Sequence, residues 1–404
     1  MKTVTGGVCA AQGFRANGIR CGIRKNHTDK DLALVVSDVP CTAAAVYTTN
    51  LVKGAPIAIT KENIADGKAQ AIIVNSGNAN TCNADGPEIA RKMCRLTADA
   101  LGLDAKDIVI GSTGVIGQPL DITPIQNGMA ELTAGLRYDG NEDAAEAIMT
   151  TDTIRKEAAV EFELAGKTCR IGGMAKGSGM IHPNMATTLI FITTDAAVSA
   201  EMLQNALSED VKTSFNMLSI DGDTSTNDTL ALLANGLAGN PEITEEGADY
   251  AVFAEALHAV TSTLCRMMAG DGEGATKMLE CVVTNAPNPE AAKTVAKSVI
   301  CSSLLKAAMF GADANWGRVL CAIGYAGVPL DVDKIDLRFR SAKGTILVCE
   351  NGAGVAFSEE KAKEILLEKE IDILVDLKQG DAAATAWGCD LTYDYVKING
   401  DYRT

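Results

Sequence analysis

The sequence predicts an α+β fold, and two observations support this. Short runs rich in β-branched and other apolar residues recur along the chain and are typical of strands. Longer amphipathic or alanine-rich stretches between them are typical of helices. The two kinds of segment do not alternate with the regular period of βαβ units, so a doubly wound parallel sheet is disfavoured.

The predicted strands have the composition of pleated, buried surfaces. They are Leu32–Val36, Ala71–Asn75, Ile108–Ile110, Leu189–Thr194 and Thr345–Val348. The predicted helices show an apolar stripe, an N-cap signal or a long alanine-rich run. They are Pro87–Leu101, Ser199–Phe215, Tyr250–Met268, Pro289–Met309 and Glu359–Glu370, of which the third and fourth are expected to be largely buried and the last exposed.

A chain of 404 residues suits two domains. The segment Thr284–Pro289 contains two prolines and two asparagines and reads as a turn-rich boundary. The sequence therefore predicts a main domain over residues 1–283 and a smaller C-terminal domain over residues 284–404.

Composition excludes several classes of function. The net charge is −16 without a marked basic run, which argues against nucleic acid and anionic membrane surfaces as partners. No apolar run approaches the ~20 residues of a membrane helix. The twelve cysteines and three histidines are scattered without metal-ligand spacing. We expect a cytoplasmic protein with reduced thiols and with neither a metal nor a bound cofactor.

The segment from Lys176 to Leu189 is the most informative stretch for function. Its glycines and a proline constrain the backbone, and Ala186 then precedes Thr187 at the start of a threonine-rich strand. Such a junction can place the Thr187 hydroxyl against the Ala186 carbonyl carbon and cleave itself. The freed α-amine, with an ordinary pKa of ~7.7–8.0, would then serve as the base for the adjacent hydroxyl. Taken alone, this segment is better explained as an ordinary glycine loop before a buried strand.

A second glycine-rich segment, Gly111–Gly117, follows the strand-like Ile108–Ile110. Its backbone N–H groups and hydroxyls could stabilise an oxyanion, and Thr113 with Gly114 forms the plausible pair. A simple strand-to-helix turn is the alternative.

Two further segments only mimic ligand loops. Asp221–Asp228 lacks the glycine and the final glutamate of a calcium loop, and Gly270–Lys277 lacks the glycine before the lysine of a phosphate loop.

Taken together, these segments resemble the bacterial ornithine acetyltransferase family, the glutamate N-acetyltransferases of arginine biosynthesis. The resemblance covers essentially the whole chain. Its motifs include Gly13–Gly18, Tyr47–Asn50, Asn75–Asn80, Ser112–Gly117, Met149–Thr153, Lys176–Met180, Pro183–Thr187, Ser214–Asn216, Asp221–Asp228, Asp271–Lys277, Asn315–Arg318 and Ala384–Tyr395.

The resemblance implies a self-cleaving enzyme with an N-terminal threonine nucleophile. Its fold would place two sheets between helical layers (αββα-like), with a smaller C-terminal α/β domain. Cleavage between Ala186 and Thr187 would give an α chain, residues 1–186, and a β chain, residues 187–404, which pair into a heterotetramer of two α and two β chains. By the same resemblance the oxyanion hole is Thr113 and Gly114, and the substrate contacts are Thr153, Lys176, Thr187, Glu273, Asn399 and Thr404.

The resemblance implies a ping-pong acetyltransferase. Thr187 would take the acetyl group of N-acetyl-L-ornithine and pass it to L-glutamate, with acetyl-CoA as a second donor in bifunctional members. Lys176 could pair the substrate carboxylate and Glu273 the cationic nitrogen. His182 stands where the family usually has alanine, and we expect a partly exposed loop residue rather than a general base. A self-processing aminopeptidase or amidase and an unprocessed metabolite-binding protein are the alternatives.

Overall fold

The computed structural model describes residues 1–25, 28–182 and 188–400. The chain divides into two compact units. The first contains the described residues within Met1–Gly177, Pro183–Asn216 and Thr224–Leu264, and the second those within Ser178–His182, Met217–Asp223 and Cys265–Thr404. The division into domains at residue 283 stays a prediction.

Sixteen strands and eleven α-helices lie in the described residues. The strands are β1 Lys2–Thr3, β2 Phe14–Ile19, β3 Leu32–Tyr47, β4 Lys68–Asn75, β5 Ile108–Ser112, β6 Lys156–Leu164, β7 Lys167–Lys176, β8 Leu189–Thr194, β9 Leu218–Ser219, β10 Thr229–Ala234, β11 Met278–Ala286, β12 Asp336–Ser341, β13 Gly344–Glu350, β14 Ala353–Gly354, β15 Glu370–Asp376 and β16 Ala382–Cys389. The helices are α1 Ala55–Asn63, α2 Gly86–Leu101, α3 Thr123–Ala134, α4 Asn141–Ala147, α5 Ala200–Asp210, α6 Ala248–Gly270, α7 Pro289–Cys301, α8 Ser303–Phe310, α9 Trp316–Gly324, α10 Glu359–Leu366 and α11 Tyr393–Gly400.

The first unit is built on a mixed sheet in the order β1-β6-β7-β8-β10-β3-β4-β5, with β2 paired to β3. Successive side chains of a strand point to opposite faces. Leu32, Leu34 and Val36 accordingly join a core with α1, α2 and α3, whereas Ala33 and Val35 join a second core with α4. Both faces are apolar, so the sheet is covered on each side, and the strand ends are where polar side chains collect.

The second unit contains the other mixed sheet, in the order β14-β13-β12-β15-β11-β16-β9. Its strand β11 pairs parallel with β15 and antiparallel with β16. Helix α7 packs against β11 and β16 through buried alanine and valine side chains. The predicted α+β class is thus confirmed, with two mixed sheets. Among the helices in the described residues, none combines the length and apolarity needed to cross a bilayer.

The five predicted strands are present, but several predicted boundaries are wrong. Pro289–Met309 is not one helix, because Ser302 is extended and its hydroxyl caps α8 by accepting from the Leu305 N–H. Helix α5 has the predicted Ser199 cap but ends at Asp210, where the Ser214 hydroxyl donates to the Asp210 carbonyl oxygen.

Two further boundaries differ near the C-terminal sheet. Helix α10 ends at Leu366, before β15 begins, and buries three side chains rather than lying wholly exposed. The segment Thr284–Pro289 is not all turn, since β11 continues to Ala286 before α7 begins.

Candidate functional site

The loop after β5 presents the predicted oxyanion residues. The Thr113 N–H donates to the Asn75 carbonyl oxygen at 3.0 Å, which continues the pairing of β4 with β5. Gly114 has φ of 127°, and a Cβ there would lie 2.7 Å from the Gly77 carbonyl carbon. Only glycine fits this close approach. Within the described part of the chain the Gly114 N–H has no hydrogen-bond acceptor.

Two asparagines hold this loop in place. The Asn75 side-chain amide donates to the Ser112 hydroxyl at 2.7 Å, and its oxygen accepts from the N–H of Asn78 at 3.1 Å. The Asn227 amide donates to the carbonyl oxygens of Ala79 and Ser112. These buried, hydrogen-bonded side chains fix the turn that carries Thr113 and Gly114.

Lys176 ends β7 and lies opposite Leu189 in the pairing with β8. Its side chain is nearly buried, and its ammonium donates to the Thr113 hydroxyl oxygen at 3.4 Å. The hydroxyl oxygen therefore acts as acceptor toward Lys176, which leaves its own proton free to be donated elsewhere. A cation at that oxygen also strengthens the hydroxyl as a donor.

Asp152 anchors the backbone next to Lys176. Its carboxylate accepts from the Gly177 N–H at 2.7 Å and from the Lys156 ammonium at 2.6 Å. Burial raises the pKa of this carboxyl, but the cationic Lys156 and Lys176 outweigh burial and lower the pKa to about 2. Thr153 follows directly and is exposed. The ionised Asp152 thus lies beside both predicted substrate contacts of this region. It directly precedes Thr153 in sequence, and it holds the N–H of Gly177, which follows Lys176.

The second unit brings Glu273 and Asn399 together. The Asn399 side-chain amide donates to the Glu273 carboxylate at 2.7 Å, and the Glu273 N–H donates to the Ser178 carbonyl oxygen at 2.9 Å. A Cβ at Gly179 would overlap this carboxylate, so Gly179 permits its placement. The C-terminal helix α11 is held at Gly274, whose carbonyl oxygen accepts from the Thr392 hydroxyl. The Asn399 side chain of α11 therefore lies against Glu273.

The backbone that precedes the predicted cleavage site is held by Asp221. Its carboxylate accepts from the N–H groups of Met180 at 2.6 Å and Ile181 at 2.9 Å. His182 is half-buried, with Nδ1 at 3.0 Å from the Ser219 hydroxyl. Burial and the cationic Lys297 lower the pKa of His182 to about 4, so the imidazole is neutral at neutral pH.

Some predicted residues lie outside the described residues, namely Ala186, Thr187 and Thr404. The structure thus brings together Thr113 with Lys176 in one unit and Glu273 with Asn399 in the other. Sequence reasoning missed Asp152 and Asn75 as supports, although each is a polar residue within a quoted motif.

The Lys277 ammonium of the phosphate-loop mimic donates to the Met309 and Phe310 carbonyl oxygens at the end of α8. Within residues 1–25, 28–182 and 188–400, His, Cys, Asp and Glu form no group suited to a metal ion.

Comparison with known proteins decides the family. The ArgJ family profile matches residues 15–404. The chain belongs to the ArgJ family. It is 52% identical over 406 residues to the arginine biosynthesis bifunctional protein ArgJ of Symbiobacterium thermophilum, with all of both chains covered. The protein of the same name from Caldanaerobacter subterraneus subsp. tengcongensis is 49% identical over 405 residues, again with both chains fully covered.

A crystal structure of ornithine acetyltransferase complexed with ornithine, from Mycobacterium tuberculosis, is 36% identical. The match has a TM-score of 0.43 and covers 46% of this chain and 99% of that chain. The resemblance seen in the sequence motifs is confirmed by the family match over nearly the whole chain.

Proposed function

We propose that this protein is an acetyltransferase of arginine biosynthesis that moves an acetyl group from N-acetyl-L-ornithine to L-glutamate. The observation that carries the proposal is membership of the ArgJ family over residues 15–404, together with full-length identity near 50% to arginine biosynthesis proteins. Because those relatives are named bifunctional, we also propose acetyl-CoA as a second acetyl donor.

The proposed reaction begins with self-cleavage. The Thr187 hydroxyl attacks the Ala186 carbonyl carbon, the peptide C–N bond breaks as the nitrogen takes a proton, and water hydrolyses the resulting ester. The freed α-amine of Thr187 then accepts the proton of its own hydroxyl. In the first half-reaction that hydroxyl attacks the acetyl carbonyl and releases ornithine. In the second, the amine of glutamate takes the acetyl group and regenerates Thr187.

The proposed oxyanion hole is the Thr113 hydroxyl with the Gly114 N–H. Its support is the geometry of the loop: the Gly114 N–H has no acceptor among the described residues, and the Lys176 ammonium leaves the Thr113 proton free. Each donor of this kind contributes roughly 2.7–4 kcal/mol to transition-state stabilisation in enzymes where one has been removed.

The proposed substrate contacts are Thr153, Lys176, Thr187, Glu273, Asn399 and Thr404. A carboxylate at Glu273, oriented by Asn399, suits the cationic nitrogen of ornithine. The Lys176 ammonium suits an α-carboxylate. We further propose a heterotetramer of two α and two β chains and, given twelve free thiols, a cytoplasmic location.

A transfer assay tests the function. Purified protein is incubated with glutamate and either N-acetylornithine or acetyl-CoA, and N-acetylglutamate is measured. We expect product from both donors, no product from Thr187→Ala and reduced product from Thr187→Ser. Acetyl released only to water would favour the aminopeptidase or amidase alternative, and full activity of uncut Thr187→Ala would contradict the mechanism.

Two glycine substitutions in one loop test the oxyanion hole. A side chain at Gly114 meets the Gly77–Asn78 peptide, whereas a Cβ at Gly117, which also has positive φ, meets nothing within 4 Å. Gly114→Ala should therefore lower kcat by roughly 100-fold or more, while Gly117→Ala stays within roughly tenfold of wild type. Equal losses in the two variants would contradict the assignment of Gly114.

A further inference from the structure

Thr188 enters β8 with an unusual backbone. Its φ is 99°, a region that β-branched residues rarely occupy. Two hydrogen bonds hold it there. Its N–H donates to the Asp228 carboxylate at 2.6 Å, and its carbonyl oxygen accepts from the Thr229 N–H at 2.8 Å. A strained residue persists only where its surroundings over-determine it, and such residues cluster at functional sites.

Asp228 supplies the carboxylate that accepts from the Thr188 N–H. It is completely buried just before β10, and its carbonyl oxygen accepts from the Thr48 N–H, which ties it to the end of β3. Only one carboxylate oxygen bonds Thr188. The second, Oδ2, meets no donor with good hydrogen-bond geometry among the described residues, although the Ser225 and Thr48 side chains lie close enough to lower the pKa of the carboxyl. A buried carboxylate oxygen without a partner is costly and calls for a reason beyond packing.

Covalent geometry links Asp228 to the proposed cleavage site. The Thr188 nitrogen is bonded to the carbonyl carbon of Thr187, and the peptide unit they share is planar. An acceptor that fixes the Thr188 N–H therefore restricts the orientation of the peptide unit that follows the nucleophile. The pairing of β8 with β10 and β7 begins at Leu189, so the Thr188 N–H is held by Asp228 and not by a backbone acceptor of a neighbouring strand.

We propose that Asp228 is a positioning residue for self-cleavage, holding the Thr188 amide so that Thr187 is presented to the Ala186 carbonyl. The proposal rests on the proposed function, in which Thr187 is the nucleophile. It gives a role to the polar loop Asp221–Asp228, which mimics a calcium loop in sequence. Burial raises the pKa of Asp228 to about 7, although the Thr188 N–H, the Ser225 and Thr48 side chains and the nearby Lys176 each lower it, so the carboxyl can hold a proton near neutral pH.

The matched control is Asp195, a second buried aspartate of the same unit. It follows the other end of β8 and accepts from the N–H groups of Arg170 at 2.7 Å and Gln12 at 2.9 Å. Asp195 thus shares burial, charge and backbone hydrogen bonding with Asp228 but lies away from Thr188 in sequence.

The test follows cleavage of full-length precursors by intact mass under denaturing conditions, with circular dichroism and Tm recorded on the same samples. Asp228→Ala should slow cleavage at least roughly tenfold, the equivalent of losing one hydrogen bond. Asp228→Asn keeps an acceptor and should restore most of the rate. Asp195→Ala should cleave at the wild-type rate once folded.

Three results would overturn the proposal: wild-type cleavage by Asp228→Ala, a rate for Asp228→Asn as low as that of Asp228→Ala, or equal slowing by Asp195→Ala. A wild-type protein that stays intact would instead refute self-cleavage itself. The two failures are therefore distinguishable.

Discussion

Asp152 and Asp228 are both buried aspartates of the first unit, yet their carboxyl groups behave in opposite ways. The pKa of Asp152 is lowered to about 2, whereas that of Asp228 is raised to about 7. Asp152 has the Lys156 ammonium at 2.6 Å, while Asp228 has an amide and no ion pair among the described residues. Burial alone therefore does not decide ionisation, and the adjacent cation does.

The two carboxyl groups also hold the two ends of one segment. Asp152 accepts from the Gly177 N–H and Asp228 from the Thr188 N–H, and the proposed scissile bond lies between these positions in sequence. The first is a permanent anion that anchors the backbone. The second is a group that can gain or lose a proton near neutral pH. Both carboxyl groups therefore position backbone, but they do so in different protonation states.

The largest expected effect comes from breaking the Asp152 ion pair. Asp152→Asn deprives the buried Lys156 ammonium of this charge and should lower the free energy of unfolding by about 3–5 kcal/mol. Urea unfolding of the uncut Thr187→Ala background measures it. The control is Glu62→Gln, which breaks an exposed pair with Arg91 and should cost less than about 1 kcal/mol. Equal losses of unfolding free energy in Asp152→Asn and Glu62→Gln would show that burial does not strengthen the Asp152–Lys156 pair.

The pH dependence of stability should have opposite sign at the two sites. Asp228 has a raised folded-state pKa, so its proton stabilises the folded state below about pH 4, and that contribution is lost as pH rises to about 7. Asparagine does not titrate, so Asp228→Asn avoids this loss of stability. The free energy of unfolding of Asp228→Asn, relative to that of its parent, should therefore increase between pH 5 and pH 8. Asp152 has a lowered pKa, and its contribution, present above about pH 4, is lost as pH falls toward 2.

Unfolding free energies across this pH range, in the Thr187→Ala background, check both signs. Parallel curves for Asp228→Asn and its parent would contradict the raised pKa.

A smaller effect should follow from relieving the backbone at Thr188. Thr188→Gly removes a cost of about 1–3 kcal/mol for the positive φ but adds about 1 kcal/mol of chain entropy. The uncut background should therefore gain about 1 kcal/mol in stability. Thr193→Gly, within β8 and without positive φ, should instead destabilise. Destabilisation by both substitutions would argue against strain at Thr188.

The smallest effect concerns the cation shared by the two carboxyl groups. Lys176 lowers the pKa of both Asp152 and Asp228. Lys176→Met should raise the pKa of Asp228 further, as read from its carboxyl carbon by NMR titration. Lys167→Met, at the exposed start of β7, should leave it unchanged. An unchanged Asp228 titration in Lys176→Met would remove Lys176 from this electrostatic account.

The sequence predicted the strands and the family because these depend on local composition and on motif order. Leu189–Thr194 lies where its β-branched run indicated. The break at Ser302 was missed because its cap bond competes with an otherwise helical, alanine-rich run. The roles of Asp152, Asn75 and Asp228 could not be derived, since each depends on partners distant in sequence or on burial. Asp228 in particular was assigned no role beyond its place in a polar loop that mimics a calcium loop, because its contact with Thr188 depends on the fold.

Intact mass under denaturing conditions, before and after incubation with N-acetylornithine, tests the central claim most directly. The account predicts two chains, residues 1–186 and 187–404, and a gain of one acetyl group on the second chain that glutamate then removes. An active protein that remains a single 404-residue chain would contradict it.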